Sequence, residues 1–319
     1  MFVLVTGANG FIGKYLVKAL IKQGVRVLAT SHDNKNKDYF ISIGAEFCKL
    51  DVTNPDDFKL LPKAVKAVVH TAALLRIDRD KHSPQDYINV NAYGTFNVLE
   101  YCREIGAKII YTMTHSDIDA SSETIIKEET ERCYVSPYGS DNVYPFIISK
   151  IAGANFIEAY DRDGVVKGII FRISNIRGFG SRDTRYNCVF HQMITRAQKS
   201  EDIEIWGEHI TIRDMIYIKD VVNVIIKAIY SESVHGLYNI GTGVGVSIED
   251  EAKAIIKAFS PEDNPSKLIY RYDIEEVRKK STIFDNSKAK RELLWNPQYS
   301  YNEAMIDYKK EMEFKGENI

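Results

Sequence analysis

The chain opens on a strand-like apolar run that leads into a glycine-rich turn: Phe2-Val3-Leu4-Val5-Thr6-Gly7-Ala8-Asn9-Gly10-Phe11-Ile12-Gly13. An amphipathic segment follows, from Ile12 to about Gln23. This order predicts a strand, a tight turn and a helix, which together open a dinucleotide-binding unit. Gly7 allows the turn, Gly10 lets the backbone approach a pyrophosphate, and Gly13 lets the helix pack on the strand. The diphosphate of a dinucleotide is therefore expected at the N-terminus of this helix.

Strands and helices alternate along the rest of the chain. Short apolar runs predict strands at residues 26–30, 46–50, 67–70, 108–112 and 168–172. Asn54 followed by Pro55 predicts a helix start, because Asn is a favoured N-cap and Pro is favoured at the first helical position. This alternation predicts the α/β class, with a doubly wound parallel sheet of the Rossmann type.

The composition argues against several classes of partner. The 319 residues carry a formal net charge of -2, which favours neither nucleic acid nor an anionic membrane as a partner. No apolar run approaches the roughly 20 residues that span a membrane, and the first strand begins at residue 2, which leaves no room for a signal peptide. We therefore expect a cytoplasmic protein. Its four cysteines are far apart, so reduced thiols and no metal site are expected.

The end of the second strand bears on the choice of cofactor, because the residue there meets the adenosine ribose. An acid at this point would select NAD, but the chain has Ser31 and His32, with Lys35 close behind. Without a carboxylate the repulsion of a 2′-phosphate is reduced, so NADP is favoured. Asp33 could still reach the ribose, and this keeps NAD open as the alternative.

Several motifs resemble the extended short-chain dehydrogenase/reductases, the family of nucleotide-sugar epimerases, dehydratases and reductases. They include residues 6–13 (TGANGFIG), 71–73 (TAA) and 89–95 (NVNAYGT). The resemblance implies an NAD(P) site built from Gly7, Asn9, Gly10, Phe11, Ile12, Gly13, Ser31, His32, Asp51, Val52, Ala72, Ala73, Asn91 and Lys150. His70, at the end of a buried strand, is interpreted as a packed core histidine rather than a catalytic one.

The same resemblance assigns the catalytic positions. In the family a Ser or Thr after the fifth strand polarises the substrate oxygen, and a Tyr four residues before a Lys moves the proton. Four residues make about one helical turn, so the lysine ammonium can lower the pKa of the tyrosine beside it. Here Thr114 takes the first position, and residues 145–153 (PFIISKIAG) place Phe146 and Lys150 in the other two.

Phe146 therefore stands where the family has its tyrosine. A register based on Tyr138 would leave Asn142 at the lysine position and would put Pro145 inside the helix, at a cost of about 3 kcal/mol. We therefore keep Phe146. This residue could be an engineered block, a natural loss of activity, or a position whose role passes to Tyr144 or Tyr138.

The second half of the chain resembles the nucleotide-sugar half of the family. The implied substrate contacts are Thr114, His115, Asn175, Asn187 and Arg213, with Arg271 or Arg278 in place of the usual distal arginine. The resemblance implies a Rossmann domain of residues 1–172, to which 213–240 return, and a smaller C-terminal α/β substrate domain of residues 173–212 and 241–319. It also implies a homodimer.

These motifs predict hydride transfer between NAD(P) and C4 of a nucleotide-diphosphate hexose. Dehydratases follow the polarising Thr with Asp-Glu, whereas Thr114 precedes His115 and Ser116, so 4-keto reduction or 4-epimerisation remains. Epimerases recycle a bound cofactor, usually NAD, while reductases consume NADPH, so Ser31 favours the reductase. The alternative is a catalytically silent sensor or scaffold that binds NAD(P) and a nucleotide sugar, as Phe146 permits.

Overall fold

The computed structural model describes residues 1–75, 81–118, 121–132, 144–180, 188–208, 210–275 and 280–314. Its strands are β1 (Phe2–Thr6), β2 (Arg26–Ser31), β3 (Glu46–Lys49), β4 (Ala67–His70), β5 (Lys108–Thr114), β6 (Ile125–Ile126), β7 (Gly168–Ile173), β8 (Asn175–Arg177), β9 (Ile203–Trp206), β10 (Ile212–Tyr217), β11 (Gly236–Ile240), β12 (Gly245–Ser247), β13 (Leu268–Arg271) and β14 (Ile283–Phe284). Its helices are α1 (Phe11–Lys22), α2 (Lys37–Ser42), α3 (Pro55–Phe58), α4 (Pro84–Tyr87), α5 (Gly94–Ile105), α6 (Tyr144–Arg162), α7 (Val189–Gln198), α8 (Ile218–Tyr230), α9 (Ile248–Phe259), α10 (Ser287–Glu292) and α11 (Tyr301–Phe314). A π-helical turn (Ile88–Tyr93) joins α4 to α5, and a 3₁₀ turn (His115–Ile118) follows β5.

Seven parallel strands form the central sheet, in the order β11-β7-β5-β4-β1-β2-β3. β1 pairs with both β2 and β4, so the chain winds outward from it in two directions. Ligand sites in such sheets lie beyond the carboxyl ends of the strands, where the order reverses. The predicted fold class, an α/β doubly wound parallel sheet, is confirmed.

The core lies on both faces of this sheet. Every residue of β1 is buried, and successive residues of a strand point to opposite faces. Val3 and Val5 pack in the cluster that contains α1 and α8, whereas Phe2 and Leu4 pack in the cluster that contains α5 and α6. The first cluster continues without a break into α7, α9 and α11.

Three small sheets accompany the central one: β12-β10-β8, β13-β9 and β14-β6. β11 adds the last strand to the central sheet, next to β7, whereas β10 pairs with β8 and β12. The predicted division into two domains stays a prediction.

The element boundaries differ from the predictions by a few residues. β4 has its predicted bounds, but β5 continues two residues further, to Thr114, and α6 begins at Tyr144 rather than Pro145. The Asn54 side chain accepts a hydrogen bond from the Asp56 amide, as its role of N-cap requires, and α3 begins at Pro55 as predicted. Within the described part of the chain no helix is both long and apolar enough to cross a membrane.

Candidate active site

The glycine turn between β1 and α1 forms an open helix N-terminus. Gly7 has a φ of 66°, in the left-handed region, and its carbonyl oxygen accepts a 2.8 Å hydrogen bond from the Gly10 amide. A Cβ at Gly13 would lie 2.5 Å from that same oxygen, so the close packing of helix and turn requires glycine. Gly10 makes no side-chain cap and the first turn of α1 holds no acid. The first amides of the helix therefore face no competing carboxylate.

Two other segments lie against this turn. A Cβ at Gly7 would lie 2.6 Å from the Cα of Ala72, so the loop that contains Ala72 and Ala73 passes directly beside the turn. A Cβ at Gly178, just after β8, would lie 2.8 Å from the Phe11 ring. The structure thus brings a segment from the substrate half of the chain up to the cofactor turn.

Four polar side chains meet at the end of β2. The Asn9 amide donates 2.8 Å hydrogen bonds to the hydroxyl of Ser31 and to the carboxylate of Asp33. Asn36 donates to the side-chain oxygen of Asn9 at 3.0 Å. His32 is exposed, with Nε2 3.5 Å from the Asp33 carboxylate. The Asp33 carboxylate, which kept NAD open as the alternative cofactor, therefore lies beside the glycine turn.

Two residues of the predicted NAD(P) site, Asp51 and Val52, lie beyond β3. The exposed Asp51 carboxylate accepts from the backbone amide and the hydroxyl of Thr53, at 2.9 and 2.7 Å. The Val52 carbonyl accepts a 2.9 Å bond from Asn97, and a Cβ at Gly94 would lie 2.7 Å from a Val52 methyl group. Helix α5 thus holds Val52 in place, while Asp51 stabilises a local turn.

Asn91 joins the loop after β4 to helix α6. This buried side chain lies in the π-helical turn and accepts a 2.8 Å bond from the Leu74 amide. Its own amide group donates to the Leu74 carbonyl and to the Ser149 hydroxyl, both at 3.1 Å. π-helical turns inside helices are frequent at functional sites. Asn91 thereby links a segment beside the glycine turn to the helix that carries Lys150.

Thr114 and His115 lie half-buried at the carboxyl end of β5. The Thr114 hydroxyl accepts a 3.1 Å hydrogen bond from the Ser116 amide. The following turn is anchored by Asp117, whose carboxylate accepts a 3.0 Å hydrogen bond from Nε of Arg172. Both of these side chains are completely buried, and buried charges persist in proteins when they are paired. This ion pair fixes the turn that holds Thr114.

Phe146 lies near the start of α6 and is 5% exposed. Its ring meets the ring of Tyr87 edge to face, with centroids 6.4 Å apart. The Tyr87 hydroxyl donates a 3.0 Å hydrogen bond to the Leu75 carbonyl. Phe146 thus fills an apolar position and brings no proton carrier. Tyr144, the first residue of α6, is half-buried.

Lys150 follows Phe146 by one helical turn and is 4% exposed. Its ammonium lies 3.9 Å from the centroid of the Tyr111 ring. Among the described residues no carboxylate forms an ion pair with Lys150, and burial lowers its pKa to about 7. The side chain is therefore poised between its charged and neutral forms near neutral pH.

His70 is a core residue, as expected. It is fully buried, with Nδ1 2.7 Å from the Thr6 hydroxyl and Nε2 3.0 Å from the Thr95 hydroxyl. Burial, followed by the charge of Lys150, lowers the pKa of His70 to about 3. The imidazole is neutral at physiological pH and holds β4, β1 and α5 together.

Asn175 and Arg213 come together on the small sheet of β8 and β10. Asn175 pairs in register with Met215, two residues after Arg213, so the two predicted substrate side chains are on one face of the sheet. The Asn175 amide donates a 3.2 Å bond to the Asp214 carbonyl. Arg213 is half-buried.

Arg271 lies on a different sheet, at the end of β13. Its guanidinium donates 2.8 and 2.9 Å bonds to the Asp273 carboxylate and lies 3.4 Å from Glu204. Two carboxylates already engage this arginine, so binding a phosphate would require it to exchange partners.

Three predicted positions, Tyr138, Asn187 and Arg278, lie outside the described residues. Two contributors were missed by the sequence analysis: Ser149, which supports Asn91, and Asn36, which orients Asn9. Ser149 lies within the motif of residues 145–153 but was given no role, and no sequence pattern identifies Asn36, whose contact only the fold creates.

These residues fit a dinucleotide. The open N-terminus of α1 suits a diphosphate, since its amides and the helix dipole favour an anion. The contacts at Gly7 and Gly13 exclude side chains from the turn, and Asp33 offers acceptors for ribose hydroxyls.

The comparisons with known proteins agree with this geometry. The putative UDP-glucose 4-epimerase of Methanocaldococcus jannaschii is 28% identical over 251 residues, covering 78% of this chain and 79% of the relative. The UDP-glucose 4-epimerase of Mycolicibacterium smegmatis is 26% identical over 326 residues, covering 96% of both chains. The crystal structure of the Thermotoga maritima UDP-glucose 4-epimerase with UDP-glucose has the same fold, with a TM-score of 0.79 and 24% identity over 99% of this chain and 100% of that one. Residues 3–241 match the NAD dependent epimerase/dehydratase family, and the chain therefore belongs to that family.

Proposed function

We propose that this protein is an NAD-dependent enzyme that epimerises a nucleotide-diphosphate hexose at C4. The observation that carries the proposal is the position of Asp33, whose carboxylate lies 2.8 Å from Asn9 beside the glycine turn. A carboxylate there accepts hydrogen bonds from ribose hydroxyls and repels a 2′-phosphate, which favours NAD over NADP. Because family epimerases usually recycle bound NAD, this position supports epimerisation over the NADPH-dependent reduction that Ser31 suggested. The names of the relatives above support the same choice.

Each part of the site has a role in this proposal. The amides of α1 would hold the dinucleotide diphosphate, and Arg213 the diphosphate of the sugar nucleotide, for which a planar guanidinium is well suited. Bound NAD would supply the acceptor and donor for the hydride of C4. Thr114 polarises the C4 oxygen, Asn175 contacts the sugar nucleotide, and Lys150 grips the nicotinamide ribose.

Particular residues support two other functions, a 4-keto reductase and a catalytically silent binding protein. Ser31, whose hydroxyl lies in the same cluster as Asp33, is compatible with NADPH and so with 4-keto reduction. Phe146, which brings no phenol to the site, supports a silent protein that binds NAD(P) and a nucleotide sugar.

The test first identifies the ligand that the purified protein holds and then measures turnover. The purified protein is denatured and its released small molecules are identified by mass spectrometry, and the folded protein is then incubated with UDP-glucose and NAD. Formation of the C4 epimer supports the proposal, and Arg213→Ala is the control for the substrate site. Turnover only when the protein is given a 4-keto sugar nucleotide together with NADPH would favour the reductase. Turnover only after Phe146→Tyr would favour the silent binding protein.

The predicted homodimer remains a proposal, and the surface of α5 and α6 supports it. Tyr93 and Phe156 are 46% and 40% exposed, and the Phe96 ring lies between them at centroid distances of 6.4 and 5.7 Å. Ile148, which precedes Phe156 on α6, is 43% exposed. Exposed apolar groups on two adjacent helices form the kind of surface that a second copy covers.

A further inference from the structure

We propose that Lys150 itself carries the proton of the C4 oxygen, in place of the phenol that Phe146 lacks. This inference rests on the proposed function. It adds a second role to a residue that would otherwise only grip the nicotinamide ribose, and it explains how the chain could act without a tyrosine at residue 146.

The first support is the position of the two side chains. Phe146 and Lys150 lie one turn apart on α6, so they share one face of the helix. The Phe146 ring is buried against Tyr87, and only a hydroxyl separates it in shape from the expected proton carrier. Ser149 lies on this face too, but its hydroxyl already donates to the Phe146 carbonyl at 2.9 Å, so Lys150 is the titratable group that this face offers.

The second support is what surrounds the amine. Tyr111 of β5 presents its ring to Nζ at 3.9 Å, and His70 of β4 lies next to Tyr111, with ring centroids 5.6 Å apart. His70 is neutral because burial lowers its pKa, and burial raises the pKa of the Tyr111 phenol. The positive charge of Arg132 also acts on the Tyr111 phenol, so it contributes no negative charge that would stabilise the Lys150 ammonium. No described carboxylate forms an ion pair with Lys150 to hold it protonated.

The face of the Tyr111 ring attracts the ammonium, but burial outweighs that contact, so the environment favours the neutral amine more than water does. Burial lowers the pKa of Lys150 to about 7, and an acid or base is most effective when its pKa is near the working pH. Epimerisation needs the amine in one half-reaction and the ammonium in the other, so a group near its midpoint suits both.

The proton and electron balance is closed within the site. The neutral Lys150 amine takes the C4 hydroxyl proton while the C4–H bond breaks, a hydride leaves to NAD, and a carbonyl forms at C4. In the second half, the Lys150 ammonium returns this proton to the C4 oxygen as the hydride returns to the other face of C4. No other oxidant or reductant is consumed.

The first test does not depend on activity. Lysine labelled with ¹³C at Cε is followed by NMR through a pH titration of the whole protein, and the Lys150 resonance is assigned by its loss in Lys150→Arg. We expect a midpoint near 7, below the other lysines of the same spectrum. A midpoint near 10, the ordinary value for lysine, would overturn the proposal.

The second test uses single-turnover hydride transfer from UDP-glucose to bound NAD. In the parent protein the rate should rise about tenfold per pH unit below the NMR midpoint and level off above it. Lys150→Arg keeps a cation but cannot lose its proton, so the rate should fall by about 10²-fold or more, with NAD affinity little changed. Lys108→Arg is the matched control, because Lys108 is also a buried lysine but lies at the amino end of β5, whereas Thr114 lies at the carboxyl end of that strand.

Rescue separates proton transfer from ribose binding. In the double variant Phe146→Tyr with Lys150→Arg, the phenol can carry the proton and the guanidinium can hold the ribose, so most of the lost rate should return. A Lys150→Arg rate close to the parent rate would overturn this proposal and leave the proposed reaction intact. Transfer seen only after Phe146→Tyr would overturn both, in favour of the silent binding protein. No transfer in any variant that binds NAD would overturn the proposed function and this inference with it.

Discussion

The Asp33 carboxylate lies 2.8 Å from the side-chain amide of Asn9, so an acid from the loop after β2 reaches the edge of the glycine turn. We expect the protein to bind NADH more tightly than NADPH, because a carboxylate here repels a 2′-phosphate. Two unit charges about 4 Å apart interact by about 1 to 4 kcal/mol near a protein surface. Asp33→Asn should therefore raise NADPH affinity about tenfold or more, as measured by competitive fluorescence titration.

Asp38→Asn is the control for this variant, because Asp38 is exposed on α2 and loses the same charge without contacting Asn9. It should leave the preference between the two cofactors unchanged. If the parent protein prefers NADPH, the role proposed for Asp33 is wrong, and Ser31 sets the cofactor preference as the sequence suggested.

Arg213→Ala should weaken the binding of UDP-glucose by about 2 to 4 kcal/mol, since it removes one partner of a charged, bidentate contact. NAD affinity should stay within about a factor of two, because Arg213 lies on β10, outside the central sheet. Calorimetric titration of each ligand measures both. Equal losses for the two ligands would identify Arg213 as a structural residue.

Arg271→Ala decides between the two arginines proposed for the distal phosphate or ribose. The Arg271 guanidinium is engaged by Asp273 and Glu204, so a phosphate would have to displace two carboxylates before Arg271 could bind it. We expect a loss of UDP-glucose affinity below about 1 kcal/mol, and a loss as large as that of Arg213→Ala would instead assign the distal contact to Arg271.

Much of this architecture could be predicted from short-range patterns. β1 and β4 were predictable because each begins with an uninterrupted run of apolar residues, which is typical of parallel strands buried on both faces. The family motif together with helical periodicity was enough to predict that Phe146 and Lys150 lie one turn apart on one face of a helix.

Contacts made by side chains across the fold could not be predicted in the same way. The position of Asp33 depends on hydrogen bonds that Asn36 and Asn9 make across the turn. The π-helical turn around Asn91 has no composition signal, since its geometry follows from the packing of α6, where a Cβ at Gly153 would lie 3.0 Å from the Asn91 carbonyl. The placement of Asp33 beside the glycine turn therefore had to await the structure.

The buried His70 should make the fold sensitive to acid. Its pKa is about 3 in the folded protein, against an ordinary value of 6.5. Between these two values the unfolded chain binds one more proton than the folded chain, so stability rises with pH in this window and is lost as the pH falls. At pH 5 the loss amounts to about 2 kcal/mol relative to pH 7. Urea unfolding at both pH values measures this difference.

His70→Gln should destabilise the protein but remove this part of the pH dependence, so the comparison is between slopes rather than absolute stabilities. His32→Gln, at an exposed histidine, should leave the slope as it is in the parent. An unchanged slope in His70→Gln would show that other groups cause the acid sensitivity.

The aromatic surface of α5 and α6 leads to a prediction about assembly. We expect the protein to sediment at about twice its chain mass of 36.4 kDa, with Phe156 buried between two copies. In a twofold dimer each substitution acts twice, and burial of one phenylalanine is worth about 1.5 to 3 kcal/mol, so Phe156→Lys should weaken the dimer by about 10²- to 10⁴-fold. Leu60→Lys is the matched control, because Leu60 is 81% exposed just after α3 and should leave the mass unchanged. Sedimentation equilibrium of the three proteins decides the matter: a monomeric parent, or a Phe156→Lys protein that dimerises as tightly as the parent, would rule out this surface as the interface.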